Sequence, residues 1–307
     1  KGTSFPVGKV DFMDLYPLSF QEFLCAVGEE RFVDILRSGD VEMVNTFSSK
    51  YKDRLREYYY VGGMPEVVRS YVEDKDIGRV REIQKDLLNY YRQDFSKHAD
   101  SSLVPQLNLV WDSIPMQLAK ENKKYIYGQV REGARAKDFE LAIQWLLDCG
   151  LIHKVNRVSK PALPLKAYLN LDAFKIYLLD IGLLIAMTDL DARVIIDGNR
   201  IFTEFKGALT EQYVLQQLIS EVEAEPYYYS TENSSGEIDF MVQGKTSVIP
   251  IEVKAEENLR AKSLKMFCEK YQPKYAIRTS MSDYREQEWM TNIPLYNIDR
   301  VKKYMEK

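Results

Sequence analysis

The stretch Ile238-Asp239-Phe240-Met241-Val242, followed after a short turn by Ile249-Pro250-Ile251-Glu252-Val253-Lys254, decides how the rest of the chain is read. Both segments are apolar runs of strand length, and Gly244 and Ser247 between them mark a turn, so they read as neighbouring strands. Such strands seldom carry charge without a reason. Side chains alternate across a strand with period two, so Glu252 and Lys254 share one face while Ile251 and Val253 point to the other. With Asp239 opposite on the adjacent strand, two carboxylates and an ammonium converge.

Taken singly, an acid followed two residues later by lysine is most often an ion pair on an exposed edge. The surrounding order gives it more weight. A helix over 207–219 carries Glu211, strands follow near Tyr227, at 238–242 and at 248–253, and a helix over 261–271 precedes a strand at 275–278. Alternating helices and strands predict an α/β unit with a mixed sheet. Asp239, Glu252 and Glu211 are the hard oxygen donors that Mg²⁺ or Mn²⁺ prefers, and Lys254 beside them would orient the attacking water and stabilise charge growing on a phosphodiester. The expected cofactor is therefore Mg²⁺ or Mn²⁺.

With this ordered set, residues 201–307 resemble the PD-(D/E)XK, or restriction-endonuclease-like, superfamily, in which a helix glutamate, a strand aspartate and an E-x-K pair form the metal site. The resemblance assigns those four roles to Glu211, Asp239, Glu252 and Lys254. Ile238 stands where the literal motif has proline, a departure many members share.

Working back from there, helical periodicity dominates. Ser19 with Glu22 three residues on forms a capping box after a short strand that begins at about residue 9, and Phe23, Leu24 and Val27 continue the helix. Phe32, Ile35 and Leu36 mark the next helix. Gly62-Gly63-Met64-Pro65 forces a turn before a helix carrying Val80, Ile83, Leu87, Leu88 and Tyr91. Helices at 107–118 and 136–147, then strands at 151–158 and 174–179 around Pro161 and Pro164, give the order in which a winged helix reads. Lys123, Lys124, Arg131, Arg135 and Lys137, with Lys120, Tyr125 and Tyr127, surround the start of its second helix and form a candidate nucleic-acid face. Glu121, Glu132 and Asp138 dilute it, so a solvated charged surface is the competing reading.

Bulk composition limits the remaining options. With 45% hydrophobic residues in 307, the chain has material for two or three packed units. A net charge of -4 gives no global field for an anionic polymer, so any nucleic-acid contact must be local. Cys25, Cys149 and Cys268 are too few and too scattered for a disulfide framework or a zinc site, which fits a cytoplasmic setting. Neither a signal peptide nor a membrane-length apolar run is present. His98 and His153 lack a nucleophile partner, and Trp111 and Trp145 are expected in packing.

A wider resemblance rests on Phe5-Pro6-Val7-Gly8-Lys9, Leu15-Tyr16-Pro17-Leu18-Ser19-Phe20, Gly62-Gly63-Met64-Pro65, Asp94-Phe95-Ser96-Lys97, Pro164-Leu165-Lys166, Asp180-Ile181-Gly182-Leu183-Leu184 and Pro250-Ile251-Glu252-Val253-Lys254. These strings resemble an uncharacterised family of prokaryotic AAA-type ATPases, in which a P-loop module precedes helical, winged-helix and nuclease-like regions. The resemblance, with the absence of an initiating methionine, implies that ATP binds in a module ahead of this chain. Gly244-Lys245-Thr246 is no P-loop, because Asp239 stands where the first glycine is required and the tripeptide joins two strands.

The expected organisation is an α+β and α/β multidomain chain: residues 1–20 from the ATPase module, 21–100 a helical, lid-like region, 101–195 a winged helix and 196–307 the nuclease-like domain. The leading expectation is Mg²⁺-dependent cleavage or recognition of nucleic acid without ATP hydrolysis by this chain. Two alternatives stay open: a non-catalytic docking module using the winged helix for protein contacts, and a parent protein that is chiefly an ATP-driven switch.

Overall fold

The computed structural model describes residues 8, 10–11, 13–120, 123–196, 205–231, 236–257 and 261–307. Among them the chain begins with helices α1 (Phe20–Ala26), α2 (Glu30–Ser38), α3 (Val41–Thr46), α4 (Ser48–Val61), α5 (Pro65–Asp74) and α6 (Ile77–His98). Local chemistry sets their starts. The Ser19–Glu22 capping box forms as expected, with Glu22 accepting from the Ser19 amide at 2.8 Å. Pro65 occupies the first turn of α5, where its missing N–H costs nothing, and Asp76 accepts from the Gly78 amide at 2.8 Å to open α6. At the short strand expected near residue 9, residues 10, 11 and 13 are irregular, while residues 9 and 12 lie outside the described residues, as do Phe5, Pro6, Val7 and Glu121.

Helices α7 (Val104–Leu118), α8 (Tyr127–Val130) and α9 (Ala136–Asp148) then lead into strands β1 (Ile152–Val158) and β2 (Leu169–Leu178). Trp111 is fully buried, with the Phe95 ring edge-on at 5.6 Å, and Trp145 meets Phe95 at 5.5 Å. Both tryptophans therefore serve packing. Strand β2 begins five residues earlier than its apolar run suggests, because Leu169 and Asn170 pair with Val158 and Arg157 beyond a bulge.

After α10 (Ile181–Met187) and α11 (Ala192–Ile196), the C-terminal segment supplies α12 (Lys206–Ser220), β3 (Tyr227–Ser230), β4 (Glu237–Gln243), β5 (Val248–Val253), α13 (Lys262–Tyr271), β6 (Ile277–Ser280), β7 (Arg285–Glu286), β8 (Thr291–Pro294), a 3₁₀ segment Leu295–Val301 and α14 (Lys302–Met305). The whole is a mixed α and β architecture. The described strands form one eight-stranded mixed sheet in the order β2-β1-β3-β4-β5-β6-β8-β7. Within it β3, β4 and β5 are an antiparallel meander, and β6 runs parallel to β5. The β1–β2 hairpin, assigned from sequence to the winged-helix segment, extends this same sheet through a parallel pairing of β1 with β3.

Two apolar clusters sandwich the central strands. Phe240, Val242, Ile249 and Ile251 pack with Leu215 and Leu218 of α12, and Ile238, Met241 and Val248 pack with Leu264 and Phe267 of α13. Helix α12 is the central element, buried from Ala208 through Leu218. Its glutamines replace missing main-chain partners: Gln212 accepts from and donates to the Leu178 backbone, Gln216 accepts from the Ile181 amide, and Gln217 accepts from the Phe20 amide.

Candidate acid–lysine centre

Backbone register places the acidic residues before any side chain is considered. Phe240 pairs with Ile251 as the last ladder pair of β4 and β5, and Asp239 and Glu252 are the residues next beyond it on the two strands. The ladder loosens there. Instead of a main-chain bond, the Val253 amide donates to Asp239 Oδ2 at 2.7 Å, fixing the aspartate against the strand that bears Glu252.

Glu252 is buried, with Oε1 2.7 Å from Lys254 Nζ and Oε2 accepting from the Leu264 amide at 3.2 Å. Leu264 lies in the first turn of α13, where amide groups lack helical acceptors and the helix dipole favours an anion. Burial works against the Lys254 ammonium, but the charges of Glu252, Asp239 and Glu211 outweigh it and raise its pKa. Lys254 thus links the Glu252 side of the centre to the Glu211 and Asp239 side.

Glu211 reaches the centre from α12 and is held by three donors. Lys123 pairs with Oε1, the Tyr177 hydroxyl donates to Oε2 at 3.1 Å, and Lys175 Nζ lies 3.7 Å from Oε2. Burial pushes the Glu211 carboxyl up, yet Lys123 and Lys175 more than offset it and hold it below the ordinary range. For Asp239 the same two lysines do not make up for burial. Burial, and then the neighbouring charge of Glu211, pushes its carboxyl up to about 7.

Lys175, Tyr177 and Glu237 were missed in the sequence. Lys175 is wholly buried on β2, pairs with Glu237 and lies 4.9 Å from the centre of the Tyr228 ring. Its signal was a charged residue inside the apolar run Phe174-Lys175-Ile176-Tyr177-Leu178, the same feature that singled out Asp239. The centre therefore gathers the carboxylates of Glu211, Glu237, Asp239 and Glu252 around the ammonium groups of Lys123, Lys175 and Lys254.

The basic face divides. Lys124, Arg131, Arg135 and Lys137 are exposed, whereas Lys123 turns inward to Glu211 with a side chain only 11% exposed. His153 is partly buried and its pKa falls to about 4 by desolvation. The three cysteines are free thiols. Gly244-Lys245-Thr246 occupies the β4–β5 turn, where the Gly244 amide donates to Ser247 and the Lys245 amide to Met305. Among the described residues no helix is long and apolar enough to cross a membrane.

Among the described residues, no three or more histidine, cysteine, aspartate or glutamate side chains stand together in an arrangement able to hold a metal ion. A two-carboxylate site is a different matter, because Mg²⁺ commonly takes one or two carboxylates and completes its shell with water and substrate phosphate. Asp239 is the carboxylate such a cation would serve most, because burial first and the Glu211 charge second push its pKa up despite Lys175 and Lys123. Glu252 is the neighbouring carboxylate, its oxygens engaged by Lys254 and the Leu264 amide, and Glu211 is engaged by Lys123, Lys175 and Tyr177.

Comparison with known families divides the chain in two. Residues 52–194 match a family described as "Domain of unknown function (DUF8612)", and residues 206–298 match one described as "Domain of unknown function (DUF4143)". No curated protein and no solved structure matches the chain.

Proposed function

We propose that the C-terminal segment is a restriction-endonuclease-like centre acting on nucleic-acid phosphodiesters with a divalent cation, joined to a winged-helix segment that presents the polymer. The observation that carries this reading is the bond from the Val253 amide to Asp239 Oδ2, which sets Asp239 beside the strand bearing Glu252 and Lys254. The order helix, three-strand meander, helix, parallel strand around those residues supports it, as does Glu211 on the first of those helices.

Asp239 and Glu252 would hold Mg²⁺ or Mn²⁺, which when bound supplies charge neutralisation and Lewis-acid polarisation of the phosphoryl group. The protein's own groups divide the remaining work. Leu264 fixes one oxygen of Glu252 and leaves the other turned towards Lys254. The Lys254 ammonium, partly exposed and positively charged, is placed to stabilise negative charge growing on a phosphate and to orient a water. Exposed Arg131, Arg135 and Lys137 offer contacts to the polymer backbone, which position it without reading sequence. Domains like the one matched over residues 206–298 are typically found with AAA ATPases, which supports a role coupled to ATP turnover elsewhere in a longer protein. No P-loop string occurs within the 307 residues, so ATP hydrolysis is not expected of this chain.

The test is to incubate the chain with single-stranded, duplex and branched DNA and with RNA, with Mg²⁺ or Mn²⁺, beside Glu252→Ala and Lys254→Ala. Metal-dependent cutting that falls by about 100-fold or more in both variants is expected. A second reading, a non-catalytic docking module, is favoured by one observation: Glu211 is saturated by Lys123, Lys175 and Tyr177. Identical traces for all three proteins would decide for it.

A further inference from the structure

Glu211 is answered by two lysines of different standing. Lys175 sits within β2, its backbone in ladder register with Val155, and it is wholly buried. Removing it from Glu211 would mean breaking the sheet. Lys123 lies between α7 and α8, outside any helix or strand, and its side chain keeps some contact with solvent. The chain is anchored just beyond it: the Tyr125 amide donates to Phe174 at 2.8 Å, the Tyr125 ring stacks on the Phe174 ring, and Gln117 bonds both the amide and the carbonyl of Ile126. Lys123 can therefore swing on its own four-carbon stem without disturbing the fold around Tyr125.

Its surroundings give it two classes of anion. On the inner side is Glu211, with Asp239 beyond it; the Lys123 charge lowers the pKa of both. Further along the same segment of chain Arg131, Arg135 and Lys137 are exposed, the residues proposed to contact a phosphate backbone. An ammonium on Glu211 and a divalent cation beside Asp239 would sit within the same low-dielectric space, where like charges repel strongly.

We propose that Lys123 is an exchangeable internal counter-ion of the acidic centre, which occupies Glu211 when no divalent cation is bound and leaves it when one binds or when a phosphate backbone draws the lysine outward. Rest and loaded states thus differ by one side-chain movement. The inference rests on the divalent-cation reading of the centre and adds its control. Because coupling between two sites is reciprocal, a polyanion that captures Lys123 tightens cation binding by the same factor as the cation tightens polyanion binding.

Calorimetric titration of the whole chain with Mn²⁺ alone tests this, comparing the wild type, Lys123→Gln and Asp239→Asn, with thermal melts to confirm folding. Lys123→Gln keeps the length and polarity of the side chain and removes its charge. It is expected to bind Mn²⁺ at least 5-fold more tightly than wild type, the lower end of ordinary coupling between sites, while Asp239→Asn weakens binding. Equal affinity in wild type and Lys123→Gln overturns the exchange and leaves the cation site standing. Absence of binding in every protein, Lys123→Gln included, overturns the cation site and the exchange together. Should Lys123→Gln melt early, Lys123→Arg gives the opposite arm: it keeps the charge, and a gain in affinity there as large as any seen on neutralisation would also overturn the proposal.

Discussion

The carboxylate of Asp180 accepts a hydrogen bond from the backbone amide of Gly63 at 2.7 Å, across 117 residues of sequence. The same carboxylate accepts from the Leu183 amide at 2.9 Å, capping α10, and lies 3.4 Å from Gln216 of α12. Close approach makes the glycines necessary. A Cβ on Gly62 would stand 2.3 Å from an Asp180 oxygen, one on Gly63 would stand 2.2 Å from the Leu18 carbonyl, and one on Gly182 would stand 2.6 Å from the Val61 carbonyl. Burial raises the Asp180 carboxyl, and the Gly63 and Leu183 amides offset only part of that rise. Asp180→Ala should therefore cost about 2–4 kcal/mol, since it strands buried donors, and Asp180→Asn should cost less because one acceptor oxygen remains. Urea unfolding of the three proteins measures this; equal stability of Asp180→Ala and wild type would show that the knot is not under load.

Gly63→Ala acts on the same knot through the backbone alone. The added methyl meets the Leu18 carbonyl rather than a flexible side chain, so Leu18 or α4 must shift. A loss of about 1–3 kcal/mol in urea unfolding is expected, the range of forced overpacking. A loss no larger than that of an exposed substitution would mean the Leu18 segment moves aside freely.

These contacts also explain which parts of the chain could be read in advance. The strings around Leu18, Gly62, Gly63 and Asp180 were visible as specific sequence, but nothing local says that they meet, because their contacts span separate helices. Period two sufficed for Glu252 and Lys254, since both ride on one strand, and the β4–β5 turn brought Asp239 within reach. Helical periodicity likewise placed α7, α9 and α12 to within a few residues. Lys175 and Tyr177 stayed hidden because they reach Glu211 only once the β1–β2 hairpin joins β3, a parallel pairing of Arg157 with Tyr228 and Val158 with Tyr229 that carries no short-range signal. In sequence Lys123 is indistinguishable from the members of an outward face. Charge patterning along sequence cannot distinguish an ammonium facing solvent from one turned 88 residues away onto a buried carboxylate.

Lys175 offers a sharper test of how the acidic centre is held together. It is wholly buried, pairs with Glu237 and lies 3.7 Å from Glu211. Lys175→Met fills the same space and leaves those acids without their central cation, so a loss of about 3–5 kcal/mol is expected. Glu211→Gln removes one of the stranded charges. The double variant Lys175→Met/Glu211→Gln should consequently be more stable than the sum of the two single losses, by about 0.5–3 kcal/mol in a urea double-mutant cycle. Strict additivity would mean that Lys175 and Glu211 share a neighbourhood without interacting.

Asp239 makes the stability of the fold depend on pH in a direction that can be worked out. Burial and the Glu211 charge push its carboxyl up to about 7, above the value of about 3.9 for an unfolded aspartate. Between those two values the folded state holds a proton that the unfolded state has released, so this group's contribution is full below about pH 4, falls as pH rises and is lost above about pH 7. Asp239→Asn keeps an oxygen to accept from Val253 and never acquires the charge. Relative to wild type, the variant should therefore be more stable at pH 8, by about 1–3 kcal/mol once residual access of water to Asp239 is allowed for, and the difference should shrink steadily towards pH 4. His153, whose pKa burial lowers to about 4, titrates in both proteins and cancels in the difference. Added Mn²⁺ at pH 8 should narrow the gap from the other side, because a cation that binds Asp239 stabilises only the wild type. Thermal melts at pH 4, 6 and 8, with and without Mn²⁺, measure both effects. A gap that stays constant across this range would mean that Asp239 carries its charge without cost in the folded protein, and the centre would then have no unmet demand for a cation.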